Sequence, residues 1–409
     1  MKSSSIVIFL ILLALLLSAC NYKTAEIAVA TIMETTAAEN NYDLPSDPME
    51  EQIQKRCEEI AALYYEIYQR ADKTQTDDFW PKQLLSQNSI DEMEAALYDA
   101  GLDVIDTNGE YPSYLMTADR FRNFWDSVKS GKTAEQEIVT IRESGALAYR
   151  LFTYQDGVAY VYSMSYPMDD SSELYYEKHE ILEWDLTERG NFYYRIYPAG
   201  DKHYADFSLI RLEAPDLELY DLNMKYIVAG GYTGINMYLI DWTEKDFGNL
   251  SFNDAWEYLY FDTYGEQFWP NGYTYIMDQY CYEIPAAEFE KVVLPYFDID
   301  LNTFRELAHY DEEGDYYPWR QIETNDYVFL YYYVIESEVT AYQVNEDGTI
   351  TLTVEMLSTD LKTDCLFAHE VTVRPLEDGG FQFVSNKVIY QTEYGLPFCE
   401  PRLSWGETT

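Results

Sequence analysis

Leu147-Ala-Tyr-Arg-Leu-Phe-Thr-Tyr-Gln-Asp-Gly-Val-Ala-Tyr-Val-Tyr-Ser-Met-Ser-Tyr166 holds two strand-like runs joined at Asp156-Gly157. Asp-Gly between apolar and aromatic runs is a hairpin signal, because the tight turn needs left-handed backbone at its centre. Upstream, Ile138–Arg142 ends at Ser144-Gly145; downstream, Leu174–Leu186 and Phe192–Tyr197 continue the pattern. An antiparallel meander is therefore expected across this region.

Helices precede it. Asp47 can cap, Pro48 suits the first helical position and Glu50 completes a capping box; Ile53, Cys57, Ile60, Tyr64, Ile67 and Tyr68 then recur at helical spacing. Ser89-x-x-Glu92 reads as the start of a second helix that stops before Gly101. A third follows Thr117, with Phe121, Phe124, Trp125 and Val128 on one face and Gly131 at its end. Helices followed by a meander make an α+β domain over residues 47–245.

Residues 246–400 repeat that order. Ser251-x-x-Asp254 opens a helix, Pro285 begins another carrying Phe289, Val292, Val293 and Tyr296, and Asp300 caps a short third. Strands are expected at Tyr327–Tyr342, Thr349–Leu357, Glu370–Arg374 and Phe381–Ser385, with turns at Asp347-Gly348 and Asp378-Gly379. Ile350, Leu352 and Val354 alternate with Thr349, Thr351 and Thr353, giving one buried and one wet face. The chain thus reads as two α+β domains, each with helices packed on an antiparallel sheet, the second suggesting a roll of the cystatin or NTF2 kind. Residues 401–409 form a tail.

The N-terminus gives location. Lys2, the apolar run Ile6–Leu17 and Leu17-Ser-Ala-Cys20 have the charged start, short apolar middle and small-residue end of an export signal. The run is shorter than the ~20 residues a bilayer-spanning helix needs. Leu-Ser-Ala-Cys resembles the processing site of bacterial lipoproteins, which implies cleavage after residue 19 and a diacylglyceryl group on Cys20. Two acyl chains anchor stably where one does not. Residues 20–46 then read as a flexible tether of about 30 Å reach. The expected localisation is extracytoplasmic, on the cell membrane.

Of the 409 residues, 73 are acidic and 27 basic, a formal charge of −46. Nucleic acid is excluded as a partner, since phosphate binding needs clustered Lys and Arg. The 41 tyrosines cluster at Tyr64-Tyr65, Tyr175-Tyr176, Tyr193-Tyr194, Tyr316-Tyr317 and Tyr331-Tyr332-Tyr333. Such rings serve strand packing or half-wet binding faces. Cys57, Cys281, Cys365 and Cys399 form no CxxC pair and read as either two disulfides or free buried thiols.

Val293-Leu-Pro-Tyr-Phe297, Tyr316-Tyr-Pro-Trp319, His369-Glu-Val-Thr-Val-Arg-Pro-Leu-Glu-Asp-Gly379 and Asp241-Trp-Thr-Glu-Lys-Asp246 resemble stretches of uncharacterised exported lipoproteins from Gram-positive anaerobes. The resemblance implies a domain of unknown function and supplies no activity or site residue.

Chemistry-bearing motifs are sparse. Asp298-x-Asp300-x-Asn302 begins like a calcium loop, but Thr303 stands where the loop needs glycine and His309 where it needs a bidentate acid, so Asp300 reads as a helix cap. Asp311-Glu-Glu-Gly-Asp315 reads as a solvated turn. His179, His203, His309 and His369 are dispersed, and Gly230-Gly231-Tyr232-Thr233-Gly234 lacks the spacing and lysine of a phosphate cradle and reads as a mobile turn. No metal or cofactor is expected. Trp125 and Trp256 sit on apolar helix faces; Trp269, in Gln267-Phe-Trp-Pro-Asn-Gly272, and then Trp319 are the candidate ligand-binding rings. The expected role is binding or interaction, with a glycan, peptide or envelope protein as ligand. The alternative is an exported hydrolase acting on polysaccharide or peptidoglycan through paired carboxylates.

Overall fold

A computed structural model describes residues 47–75, 83–107, 109–169, 174–197, 206–322, 335–396 and 401–403. Cys20, the tether 20–46, His203, Tyr331–Tyr333 and Cys399 lie outside the described residues. Helix α1 (Pro48–Arg70) begins where Asp47 Oδ1 accepts the Met49 N–H at 2.9 Å. Strands β1 (Lys73–Gln75) and β2 (Gln83–Leu85) pair antiparallel ahead of α2 (Gln87–Asp99). The second helix thus starts earlier than the Ser89 box, because the Ser86 carbonyl already accepts the Ile90 N–H at 3.2 Å. Glu92, the acid of that box, instead pairs with Arg70.

Strands β3 (Ile105–Asp106) and β4 (Tyr114–Leu115) precede α3 (Ala118–Lys129). The meander follows as β5 (Ala134–Ile141), β6 (Leu147–Gln155), β7 (Val158–Tyr166), β8 (Tyr175–Leu186), β9 (Asn191–Ile196) and β10 (Asp206–Arg211). The eight strands are ordered β3-β4-β10-β9-β8-β7-β6-β5. An isolated parallel bridge between Val104 and Val139 brings the two edges together, so this sheet closes almost into a barrel. Phe121, Phe124, Trp125 and Val128 of α3 fill it against Phe152, Val161, Phe192 and Tyr194. The rings meet edge to face; Phe121 and Phe192 lie 4.7 Å apart. On the other side Tyr64 Oη donates to the Gly145 carbonyl at 3.1 Å, and Arg56 forms an ion pair with Glu137 at 2.6 Å.

The later elements are α4 (Leu217–Leu222), β11 (Trp242–Thr243), α5 (Phe252–Tyr264), β12 (Tyr275–Ile276), β13 (Cys281–Pro285), α6 (Ala286–Val293), α7 (Leu301–Leu307) and β14 (Tyr316–Trp319). Four long strands close the series: β15 (Ile335–Val344), β16 (Ile350–Ser358), β17 (Thr363–Pro375) and β18 (Phe381–Gln391). They form a five-stranded sheet, β11-β18-β17-β16-β15, beside a three-stranded one, β12-β13-β14. Between sheet and helices Trp256 stacks on Phe289 at 5.2 Å, and Phe289 on Tyr317 at 4.5 Å. The fold is α+β with helices on antiparallel sheets, as the sequence predicts.

Strand alternation separates two of the tyrosine clusters: Tyr317 is buried and Tyr316 half-buried, while Tyr175 is exposed and Tyr176 half-buried; Tyr193 and Tyr194 are both buried. Arg402 is clasped over α5, its side chain wholly buried. Its Nε meets Asp254 Oδ1 at 3.1 Å and its Nη2 meets Glu257 at 2.7 Å. Cys57, Cys281 and Cys365 are free thiols, and burial pushes them up to about 12, 11 and 12. Among the described cysteines no disulfide forms.

Candidate ligand-binding cleft

Where β9 and β10 face β15 and β16, α4 and the segment after it border a cleft of about 980 Å³. Helix α4 is capped by Asp216, whose Oδ1 accepts from Glu218 and Leu219 N–H at 3.0 and 3.2 Å. It runs directly into one π-helical turn, Asn223–Ile227. Such turns insert an extra residue and often mark functional sites. Here the turn points Tyr226 and Ile227 into the core and leaves Met224 exposed at the cleft. Asn223 lines the cleft, is 6% exposed, and its Oδ1 has no hydrogen-bond partner among the described residues. An unsatisfied buried acceptor costs ~1–3 kcal/mol, which a donor arriving in the cleft would relieve.

The glycine segment after this turn is closely packed rather than loose. A Cβ on Gly230 would lie 2.2 Å from the Tyr238 hydroxyl, and one on Gly231, at φ +66°, 2.1 Å from the Tyr258 ring. Tyr258 Oη donates to the Thr233 carbonyl at 2.8 Å, and Tyr238 Oη to the Ile227 carbonyl at 3.0 Å. The expected mobile turn is thus a packed wall whose glycines admit two tyrosine rings.

Tyr232 carries the wall into the interior. Asn386 Nδ2 donates to the Ile240 carbonyl at 2.7 Å, which fixes the amide with Oδ1 toward His369. His369 Nδ1 therefore carries the proton and donates to that Oδ1 at 2.7 Å. Nε2 is left as acceptor for the Tyr232 hydroxyl, also at 2.7 Å. His369 is wholly buried in mid-strand, and burial pushes its pKa down to about 4. This chain holds Tyr232 in place.

The opposite wall is charged but internally balanced. Arg211, on β10, meets Glu336 at 2.6 Å and Glu338 at 3.4 Å, both from β15. Arg189 pairs with Glu355 and stands 3.9 Å from Glu338. Burial raises the Glu338 carboxyl, against the pull of Arg211. Asp364 accepts from Asn191 Nδ2 at 2.8 Å and Tyr193 Oη at 3.0 Å.

The sequence-predicted rings lie elsewhere, for neither Trp269 nor Trp319 borders this cleft. Trp269 is 58% exposed. Trp319 is 1% exposed, with Phe268 edge-on at 5.0 Å, so it offers no open face: as a strand residue in Tyr-Tyr-Pro-Trp it falls on the buried side. Asp300 caps α7, accepting from Asn302 and Thr303 N–H at 3.1 and 3.2 Å. Asp311 accepts the Gly314 N–H at 2.7 Å within its turn. Among the described residues no group of three or more His, Cys, Asp or Glu is placed to hold a metal ion. Sequence reasoning missed Arg189, Arg211, Asn223 and Tyr232; the legible signal was Glu336-Ser-Glu338, two acids on one side of a strand.

A family model, the family of unknown function DUF6070, matches residues 50–402. No curated protein matches the chain. No solved structure matches it either.

Proposed function

The chain belongs to the DUF6070 family, and from that premise we propose that it is a lipid-anchored extracytoplasmic binding protein whose ligand lies in the cleft beside Asn223. The location rests on the sequence: an apolar run too short to span a bilayer, followed by Leu17-Ser-Ala-Cys20. Among the described residues no helix is long and apolar enough to cross a membrane. The binding role is carried by the unpartnered, buried Asn223 Oδ1 in a cleft walled by tyrosines. An acceptor among aromatic rings suits a ligand that brings hydroxyl or amide donors and flat faces, such as a glycan or an extended peptide. An exported hydrolase has weaker support, because Glu336 and Glu338 both face Arg211 rather than standing free across a gap.

Glycan and peptide arrays probed with the full chain test the binding role. A ligand is expected whose affinity falls at least tenfold in Asn223→Leu. No binder on either array, or a binder indifferent to that substitution, refutes the reading. Acyl labelling of Cys20, lost in Cys20→Ala, tests the anchor separately.

A further inference from the structure

A second cavity, of about 1100 Å³, opens at the inner face of the near-closed sheet. It is bounded by Thr140 on β5, Ala148 and Arg150 on β6, and Ile210 and Arg211 on β10, with Ile105, Thr107 and Tyr114 nearby. Arg150 stands between Ile138 and Ser163 in the strand register. Its residue is half-buried, and its guanidinium has neither hydrogen bond nor ion pair among the described residues. Arg142, at the cavity edge, likewise has no side-chain partner among the described residues.

This is unusual for this chain. With 73 acids for 27 bases, a guanidinium finds a carboxylate or carbonyl almost anywhere. Arg56, Arg70, Arg120, Arg122, Arg189, Arg195, Arg211, Arg305, Arg374 and Arg402 all have an acidic partner, and Arg320 donates to the Arg402 carbonyl. The two arginines left over line one cavity. Beside these and the paired Arg211, Lys73 adds a further cation at its border, 3.8 Å over the Tyr68 ring, against only Glu143 and Asp169 as lining acids. Asp169 already accepts from Tyr68 Oη at 2.5 Å.

An unpartnered guanidinium part-way down a cavity is a fork for a planar two-oxygen anion. Among mixed polar and apolar walls, Ile90, Ile105, Leu84 and Leu209 supply surface for an apolar body. We infer that this cavity binds a small organic carboxylate, its carboxylate on Arg150 with Arg142 at the entrance and its apolar part against Ile90 and Ile105. The site shares only Arg211 with the lining of the Asn223 cleft and does not depend on that reading.

Calorimetric titration of the full chain with 3-phenylpropionate, 3-phenylpropionamide and inorganic phosphate tests this. The carboxylate is expected to bind at least tenfold tighter than its neutral amide and tighter than phosphate. Raising the salt concentration weakens the carboxylate and leaves its neutral amide unaffected. Arg150→Gln should remove at least tenfold of its affinity, and the exposed Arg142→Gln a smaller factor. Equal binding of carboxylate and amide by the unaltered protein overturns the inference without any variant. So does tighter binding of phosphate, or full affinity in a folded Arg150→Gln.

Discussion

Lowering the pH from 7 to 5 should cost the folded chain stability specifically through His369. The imidazole is held neutral, with a pKa of about 4 in place of 6.5, chiefly because burial penalises its charged form. Above pH 6.5 it is neutral in both folded and unfolded states. Between 6.5 and 4 the unfolded chain takes up a proton that the folded protein refuses, so stability falls as pH falls, and it levels off below 4. At ~1.36 kcal/mol per pH unit, the 1.5 units from 6.5 to 5 amount to about 2 kcal/mol. Glu94 acts in the opposite sense. Burial raises its carboxyl to about 7, so the folded state binds the extra proton there and gains stability as pH falls toward 4.5. The two effects mask each other in the unaltered protein, and the informative quantity is its difference from His369→Gln. Urea denaturation of both proteins at pH 7 and pH 5 should show His369→Gln less stable at pH 7, with the gap narrowing by about 2 kcal/mol at pH 5. A gap that stays constant would refute the neutral, Nδ1-protonated imidazole and the hydrogen-bond chain from Asn386 to Tyr232.

Replacing Arg402 by Met leaves Asp254 and Glu257 without their guanidinium, and chemical denaturation should register a loss of ~3–5 kcal/mol, as for other broken buried pairs. Gly231→Ala places a Cβ 2.1 Å from the Tyr258 ring at φ +66°, and should lower stability by ~1–3 kcal/mol while closing part of the Asn223 cleft, read as weaker ligand capture. Trp319→Ala should cost ~3–5 kcal/mol and Trp269→Ala less than about 0.5 kcal/mol, because one ring is 1% and the other 58% exposed. Cys57 and Cys281 should stay unreactive toward a thiol reagent at pH 8 until the chain is unfolded, since both are buried with pKa values of about 12 and 11.

Local chemistry made much of the fold readable. Asp156-Gly157 gave the β6–β7 hairpin, Asp300 the start of α7, and the apolar face of α3 its place against the sheet. Signals failed where tertiary partners decide. Strands β3 and β4 have two residues each and exist because β10 and the Val104–Val139 bridge hold them. The strand expected at Glu370–Arg374 runs from Thr363, because His369, a polar residue that reads as a boundary, is satisfied on both ring nitrogens inside the sheet. The Asn223 cleft draws on β9, β10, β15, α4 and α5, far apart in sequence, so no local pattern announces it. Trp319 failed for the converse reason: its neighbours Tyr316, Tyr317 and Pro318 do not reveal which side of β14 faces the core.

The Arg402 clasp also sets a timetable. Asp254 precedes its guanidinium by 148 residues. At ~5–20 residues per second, synthesis takes about 7–30 s to cover that distance. Until Arg402 arrives, α5 can bury Asp254 only without that counter-charge. A chain lacking Arg402 would leave Asp254 and Glu257 on α5 without their guanidinium, and limited proteolysis should then cut more readily around α5.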